Sequence, residues 1–63
     1  MPKIGDIYLN AHDFPVEILA VATVSSEVWG EGIDIIVYRL VGASMVHVRA
    51  ASHVENWKKV EGG

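Results

Sequence analysis

The segment spanning residues 33–50, IDIIVYRLVGASMVHVRA, constrains the fold more than any other part of the chain. It consists of two runs rich in β-branched and aromatic residues, which are typical of strands, on either side of Gly42. A glycine at the first central position of a two-residue turn readily adopts the positive φ that a tight hairpin needs. The segment therefore predicts a β-hairpin with Gly42 and Ala43 as its turn.

This turn also predicts which residues face each other across the hairpin. The expected pairs are Val41 with Ser44, Leu40 with Met45, Tyr38 with His47, Val37 with Val48, and Ile36 with Arg49. Because side chains alternate along a strand, the pairs sort onto two faces. The face predicted to be the core face holds Ile35, Val37, Val46 and Val48, with Arg39 near its end. The opposite, amphipathic face holds Asp34, Ile36, Tyr38, Leu40, Met45, His47 and Arg49.

Outside the hairpin, strand-forming runs alternate with turn-forming residues. The predicted elements are a strand over residues 3–9, a loop over 10–15, a strand over 16–24, a turn-rich connection over 25–32, a helical turn over 51–56 capped by Ser52, and a closing strand over 57–61.

The strand over residues 16–24 has a helical interpretation as its main rival. Its β-branched content and Pro15 at its start disfavour a helix. Alternation places Val16, Ile18, Ala20, Ala22 and Val24 on one predicted face. Leu19 and Val21 make the other face partly apolar, so this strand is either buried on both sides or carries a contact surface.

Five short strands with a short helical turn before the last one predict an all-β fold. We expect residues 1–63 to form a single domain, a small five-stranded Src-homology-3-like β-barrel. The physical reason is closure, because an open meander of this length leaves two strand edges that invite aggregation. Bending the last strand back beside the first hides those edges and encloses one core.

Composition limits where such a chain can work. It has 63 residues, 51% of them apolar, and no cysteine, so it must pack well or oligomerise without a disulfide. The lack of cysteine fits a reducing cytoplasm, and the start MPKIGD predicts no secretion signal. The apolar runs are too short to cross a bilayer. The sequence predicts a cytoplasmic protein that has no membrane partner.

Five short motifs follow one another along the chain: Gly5 with Tyr8, VEILAVA from Val16, VYRL from Val37, Val48-Arg49, and SHVENWKKV from Ser52. Their order resembles a family of short bacterial and phage domains of unknown function. Two positions depart from the family: His47 replaces an aromatic residue, and Ala50 replaces a proline. The resemblance implies a small barrel of bacterial, phage or prophage origin and supplies no activity.

No catalytic, cofactor-binding or metal-binding signature is visible in the sequence. His12, His47 and His53 lack the spacing of a metal site, and isolated imidazoles explain them better. The serines lie where turns and caps are expected, and so short a chain has little room for a catalytic cleft. We expect no enzyme, no cofactor and no small-molecule substrate.

Partner binding is the function that the sequence favours most. Tyr38, His47 and Arg49 form the predicted contact face, with Ile36 and Met45 beside them. The alternative is that part of this face packs under the connection over residues 25–32 while its charged tips reach solvent.

Trp29, in that same connection, is a further candidate contact residue. The favoured alternative is that its indole caps the barrel, because large aromatic side chains are usually mostly buried. Trp57, spaced in threes from Val54 and Val60, is predicted to be core.

The sequence thus predicts a small protein-interaction module that docks on a larger protein or self-associates, with a homodimer as one form. A nucleic-acid-binding barrel is the alternative. It would need four basic residues on one face, Arg39, Arg49, Lys58 and Lys59. The net charge of −3 and scattered acids disfavour phosphate-backbone binding.

Overall fold

The computed structural model describes residues 2–26 and 30–61, which form one antiparallel sheet and a 3-10 turn. The elements are β1 (Ile7–Leu9), β2 (Pro15–Ser26), β3 (Gly30–Leu40), β4 (His47–Ala50), the 3-10 turn η1 (Ala51–Val54) and β5 (Lys58–Glu61). The strand order is β4-β3-β2-β1-β5, so the chain meanders through four strands and then returns to pair β5 with β1. The predicted all-β class, with a helical turn before the last strand, is confirmed. Within the described ranges β4 and β5 do not pair, and the sheet is open.

The strands β2 and β3 form the longest hairpin, and they extend further than the sequence predicts. Pairing continues to Ser26 and Gly30, inside the stretch that was predicted to be a turn-rich connection. The side chain of Thr23 on β2 donates a 2.8 Å hydrogen bond to Asp34 on β3. The connection is therefore mostly strand, and residues 27–29 at its tip lie outside the described part of the chain.

A bulge in β2 changes which side chains face the core. The register against β3 shifts between Ile18 and Ala20, which places Leu19 in the bulge. Beyond the bulge, Val21 packs against the core and Ala22 is exposed. The predicted uninterrupted face of the second strand is therefore wrong, because the extra residue reverses the alternation.

The β3–β4 hairpin has the predicted register and a different turn. Tyr38 pairs with His47, Val37 with Val48 and Ile36 with Arg49, as expected. The two expected pairs nearest the turn, Leu40 with Met45 and Val41 with Ser44, do not form, because β4 begins only at His47. The amide of Ala43 donates a 2.9 Å hydrogen bond to the carbonyl of Leu40, so the turn covers residues 40–43. Gly42 has φ 87° at the third position of this turn, where a type II turn requires a positive φ. The strand β4 begins only at His47, so the predicted two-residue loop and the longer last strand of the hairpin are wrong.

The two faces of the β3–β4 hairpin are the reverse of the prediction. Ile36 and Tyr38 are 0% and 6% exposed and belong to the core, whereas Val46 and Val48 are 53% and 59% exposed. The core also contains Val16, Ile18 and Val54. The physical reason is that η1, Trp57 and the sidechain of Tyr8 pack on the Tyr38 side of the sheet. A large aromatic ring buries more apolar area there than a valine would.

A tight turn at residues 3–6 precedes β1 and shortens the predicted first strand. The amide of Asp6 donates to the carbonyl of Lys3 at 3.0 Å, and the amide of Lys3 donates to the Asp6 carboxylate at 2.9 Å. Asp6 is 1% exposed, and Lys59 Nζ on β5 lies 3.8 Å from its Oδ2. The buried carboxylate therefore links the N-terminal turn to the strand that returns beside β1.

The turn η1 closes one side of the core. Its residue Val54 is buried, and the amide of Trp57 donates a 3.0 Å hydrogen bond to the Val54 carbonyl. Trp57 packs against the core, as predicted. The residue at the cap position is Ala50, which makes no side-chain capping bond, so the predicted capping role of Ser52 is wrong.

Candidate functional site

Tyr38 is the centre of an aromatic cluster on the core side of the sheet. Its ring stacks on the imidazole of His47, with centroids 5.3 Å apart and planes 23° apart. The indole of Trp57 meets the same ring edge-on, with centroids 4.9 Å apart. Arg49 Nε donates a 3.0 Å hydrogen bond to the phenol oxygen of Tyr38. The structure thus brings Tyr38, His47 and Arg49 together, as the register predicts.

The predicted contact residues differ in how accessible they are. Ile36 and Tyr38 are buried, so their side chains are largely engaged within the core. His47 is half-buried, whereas Arg49 and Met45 are exposed. Met45 belongs to the segment between β3 and β4, away from the aromatic cluster on the strands. The predicted role of Trp29 concerns a residue outside the described part of the chain.

A small cavity opens beside the aromatic cluster, and we call it the basic pocket. Its volume is about 210 Å³, and its lining residues are Asn10, Ala11, His12, Tyr38, Arg49, His53 and Trp57. They come from the β1–β2 loop, β3, β4, η1 and the segment before β5. Sequence reasoning missed this site because residues so far apart in the chain carry no spacing signal.

Hydrogen bonds within the β1–β2 loop fix the backbone that carries His12, one of the residues lining the basic pocket. The amide of Asp13 donates to the Asn10 carbonyl at 2.9 Å, and the amide of Asn10 donates to Phe14 at 3.0 Å. Asn10 and Phe14 thus close a loop of three residues, 11–13. Asp13, the last of the three, has φ 63°, as expected after the turn in such a loop. The side-chain carbonyl of Asn10 accepts from the amides of His12 and Phe14 at 2.9 and 3.0 Å. The loop that carries His12 is therefore ordered by its own hydrogen bonds.

A larger groove runs along η1 and shares Trp57 with the basic pocket. Its volume is about 620 Å³, and it is lined by Pro2, Tyr8, Ile33, Asp34, Ala50, Ala51, Ser52, Val54, Glu55 and Trp57. Both carboxylates of its lining, Asp34 and Glu55, lie outside the lining of the basic pocket. Trp57 is thus shared by a groove with two carboxylates and a pocket with none.

Exposed aliphatic side chains collect on the β3–β4 hairpin, at its tip and on the face away from the core. We call Val41, Met45, Val46 and Val48 the hairpin patch; each is at least half exposed. Val37, directly opposite Val48, continues the apolar surface onto β3. The sequence predicts Val46 and Val48 on the core face and Met45 on the opposite face, so the patch exposes residues of both.

The four basic residues of the nucleic-acid alternative do not share one surface. Arg39 Nη2 lies 2.9 Å from Glu17 Oε1, and Arg49 lies on the opposite face because it pairs with Ile36. Lys59 lies near the Asp6 carboxylate. Neutralisation and separation of the positive charges weaken the support for this alternative.

Residues 2–26 and 30–61 contain no group of three or more His, Cys, Asp or Glu that could hold a metal ion. In the same part of the chain, no helix has the length and apolar character needed to span a membrane.

Comparison with known proteins gives no match. No family model matches the chain, and neither a curated protein nor a solved structure is significantly similar to it. The resemblance to short bacterial and phage domains therefore stays a prediction.

Proposed function

We propose that this chain is a small protein-interaction module that docks on a larger protein or self-associates through the hairpin patch. The observation that carries the proposal is the concentration of apolar exposure. Among the described residues, four of the seven large hydrophobic side chains that are exposed lie between residues 41 and 48. A contiguous exposed apolar patch marks an interaction site in soluble proteins, and we propose that these four side chains form one.

The strand next to the patch supports the same function. β4 is at one end of the sheet and pairs with β3 along one side. Its other side offers backbone donors and acceptors to an added strand, which is one way that extended segments bind. A partner strand placed there would lie beside Val48. Two copies of β4 pairing antiparallel would bring their Val48 residues close together.

We also infer that the sheet is a partly closed barrel of the Src-homology-3 type. The return of β5 to β1, the 3-10 turn just before β5 and the bulge at Leu19 support this assignment. A bulge bends a strand and increases its twist, which is what a long strand needs to serve both halves of a barrel.

The rest of the proposal concerns where and how the module works. We place it in the cytoplasm, with the absence of cysteine as support. A bacterial, phage or prophage origin has the sequence resemblance as its support. The proposed action is binding alone, without a catalytic step or a cofactor.

The test compares two aspartate substitutions at exposed valines. Val48→Asp places a charge in the hairpin patch, and Val60→Asp places the same charge on β5, where the valine is similarly exposed at 54%. Sedimentation over a wide concentration range measures self-association, and capture on immobilised protein measures docking on a partner. We expect Val48→Asp to lose either kind of binding and Val60→Asp to keep it.

Two results would contradict the proposal. One is a wild-type chain that stays monomeric at every concentration and captures no protein. The other is binding that Val48→Asp leaves unchanged while circular dichroism shows an intact fold.

A further inference from the structure

The basic pocket combines positive and hydrogen-bonding groups without an acidic residue in its lining. Arg49, His12 and His53 line it together with Asn10. Arg49 uses Nε to bind Tyr38, and its two Nη groups bond to no other residue in the described ranges. The site therefore presents donors toward a cavity in a chain whose net charge is −3.

We propose that the basic pocket binds a single oxyanion group, a carboxylate or a phosphate, carried by a ligand. An arginine fork offers paired N–H donors that match the oxygens of either group. Imidazole and amide N–H groups can complete the coordination of such oxygens. A carboxylate presents two oxygens and a phosphate attached to its carrier presents three, so both groups offer the pocket a compact anion.

The cavity is large enough for one oxyanion group and too small for a whole small molecule. Its volume of about 210 Å³ is below the ~300–1,000 Å³ that is usual for small-molecule sites. A carboxylate or phosphate fills such a space, and the rest of its carrier stays outside.

The Arg49 side chain and the backbone that carries His12 are held in position before a ligand arrives. The Tyr38 phenol oxygen fixes Arg49 at 3.0 Å, and Tyr38 itself is buried. Asn10 orders the loop that carries His12 through two hydrogen bonds. Groups that are already ordered lose less conformational entropy on binding. The half-buried indole of Trp57 gives the pocket one apolar wall beside these donors.

The nearest acidic neighbours in sequence do not enter the cavity. Asp13 follows His12 and Glu55 lies two residues beyond His53, but neither lines the basic pocket. Glu55 lines the groove along η1 instead. Repulsion between these carboxylates and a bound anion is therefore exerted from outside the cavity, where solvent screens it.

The inference is independent of the proposed protein-interaction function. Arg49 and Val48 are consecutive on β4, so their side chains point to opposite faces of the sheet. Substitutions in the basic pocket leave the hairpin patch intact, and the reverse also holds. A negative result for one proposed site therefore leaves the proposal for the other site standing.

The experiment is a titration of the ¹⁵N-labelled full chain, followed by amide and indole cross-peaks. Inorganic phosphate and acetate are the two probes, and sodium chloride at matched ionic strength is the blank. We expect saturable shifts that cluster at residues 10–12, Arg49, His53 and the Trp57 indole. A Trp29→Phe variant assigns the indole signal. Saturation by one probe alone supports the pocket and identifies the group it takes.

Charge-matched variants separate specific binding from general attraction. Arg49→Gln and His53→Gln are expected to weaken binding, the former at least ~10-fold. Lys58→Gln removes an exposed positive charge outside the lining and should leave the affinity within about twofold. Shifts that never saturate or that chloride reproduces would overturn the proposal. So would equal losses in Lys58→Gln and in both pocket variants, with the fold of each checked by cross-peak dispersion.

Discussion

Arg49 Nε donates a 3.0 Å hydrogen bond to the phenol oxygen of Tyr38, which ties an exposed cation on the end strand to a buried ring on its neighbour. The same ring stacks on His47 and meets Trp57 edge-on. One side chain therefore contributes to the core and also positions the guanidinium in the basic pocket. Stability and anion binding are coupled through it.

Tyr38→Phe is expected to lower the free energy of unfolding by about 1 kcal/mol, the usual net worth of one hydrogen bond. The ring contacts with His47 and Trp57 remain in this variant. Urea denaturation measures the change, and Arg49→Gln provides the other half of a double-mutant cycle. The two single losses should not add in the double variant. Full additivity would show that the hydrogen bond contributes nothing to stability.

The assignment of faces in the β3–β4 hairpin predicts a large difference between two small substitutions. Ile36→Val should cost about 1 kcal/mol, because it removes a methylene from a fully buried site. Val48→Thr should change stability by less than about 0.5 kcal/mol, because that side chain is mostly exposed. Denaturant midpoints of the two variants measure the effect. The opposite ranking would restore the sequence-based assignment of the core face.

The β1–β2 loop is expected to depend on Asn10. Asn10→Ala removes the acceptor for the amides of His12 and Phe14 and should cost about 1–2 kcal/mol. Asp13→Gly is the matched variant in the same loop. It relieves a positive φ of 63° and should be neutral or stabilise by up to ~1 kcal/mol. Thermal unfolding compares them, and similar destabilisation by both would contradict the loop geometry.

Asp6 is expected to hold the N-terminal turn and β5 together. Asp6→Ala leaves the Lys3 amide without its carboxylate acceptor and should cost about 2 kcal/mol. Asp6→Asn keeps a side-chain oxygen in the same place and should cost less. Hydrogen exchange at Tyr8 and Lys59, which pair across β1 and β5, reports the local effect. Equal stability of the alanine variant and the wild type would exclude this role.

Gly42→Ala tests the turn of the β3–β4 hairpin. A Cβ at this position would meet nothing within 4 Å, so crowding adds no cost. The φ of 87° alone should lower stability by about 1 kcal/mol. Chemical denaturation measures it, with Ala43→Gly as a variant in the same turn where no positive φ is required. An unchanged stability for Gly42→Ala would mean that the turn can adopt another type.

Several elements were predictable because their signals are local. The register of the β3–β4 hairpin follows from two strand-forming runs and the glycine between them, and Tyr38 does pair with His47. The helical turn before the last strand and the packing of Trp57 on the core were also predictable, since they depend on short spacings. These features need no knowledge of what packs on the sheet.

The basic pocket was not predictable in the same way. His12 reaches it from a hairpin loop, His53 from η1 and Arg49 from β4. No spacing along the chain relates these residues, and their proximity arises only when β5 returns to β1 and η1 covers the core side of the sheet. The bulge at Leu19 was likewise not predictable. Residues 18–22 are all apolar, so the sequence does not show at which residue the alternation of the strand reverses.

The sequence by itself determined that this chain forms antiparallel strands, that residues 35–38 pair with residues 47–50 in the expected register, and that a helical turn precedes the last strand. Only the tertiary structure decided which face of the β3–β4 hairpin is buried. Both faces carry apolar side chains, so the alternation assigns residues to two faces without showing which face is buried. The buried face is decided by what packs on the sheet, because η1 and Trp57 cover Tyr38 and leave Val48 exposed.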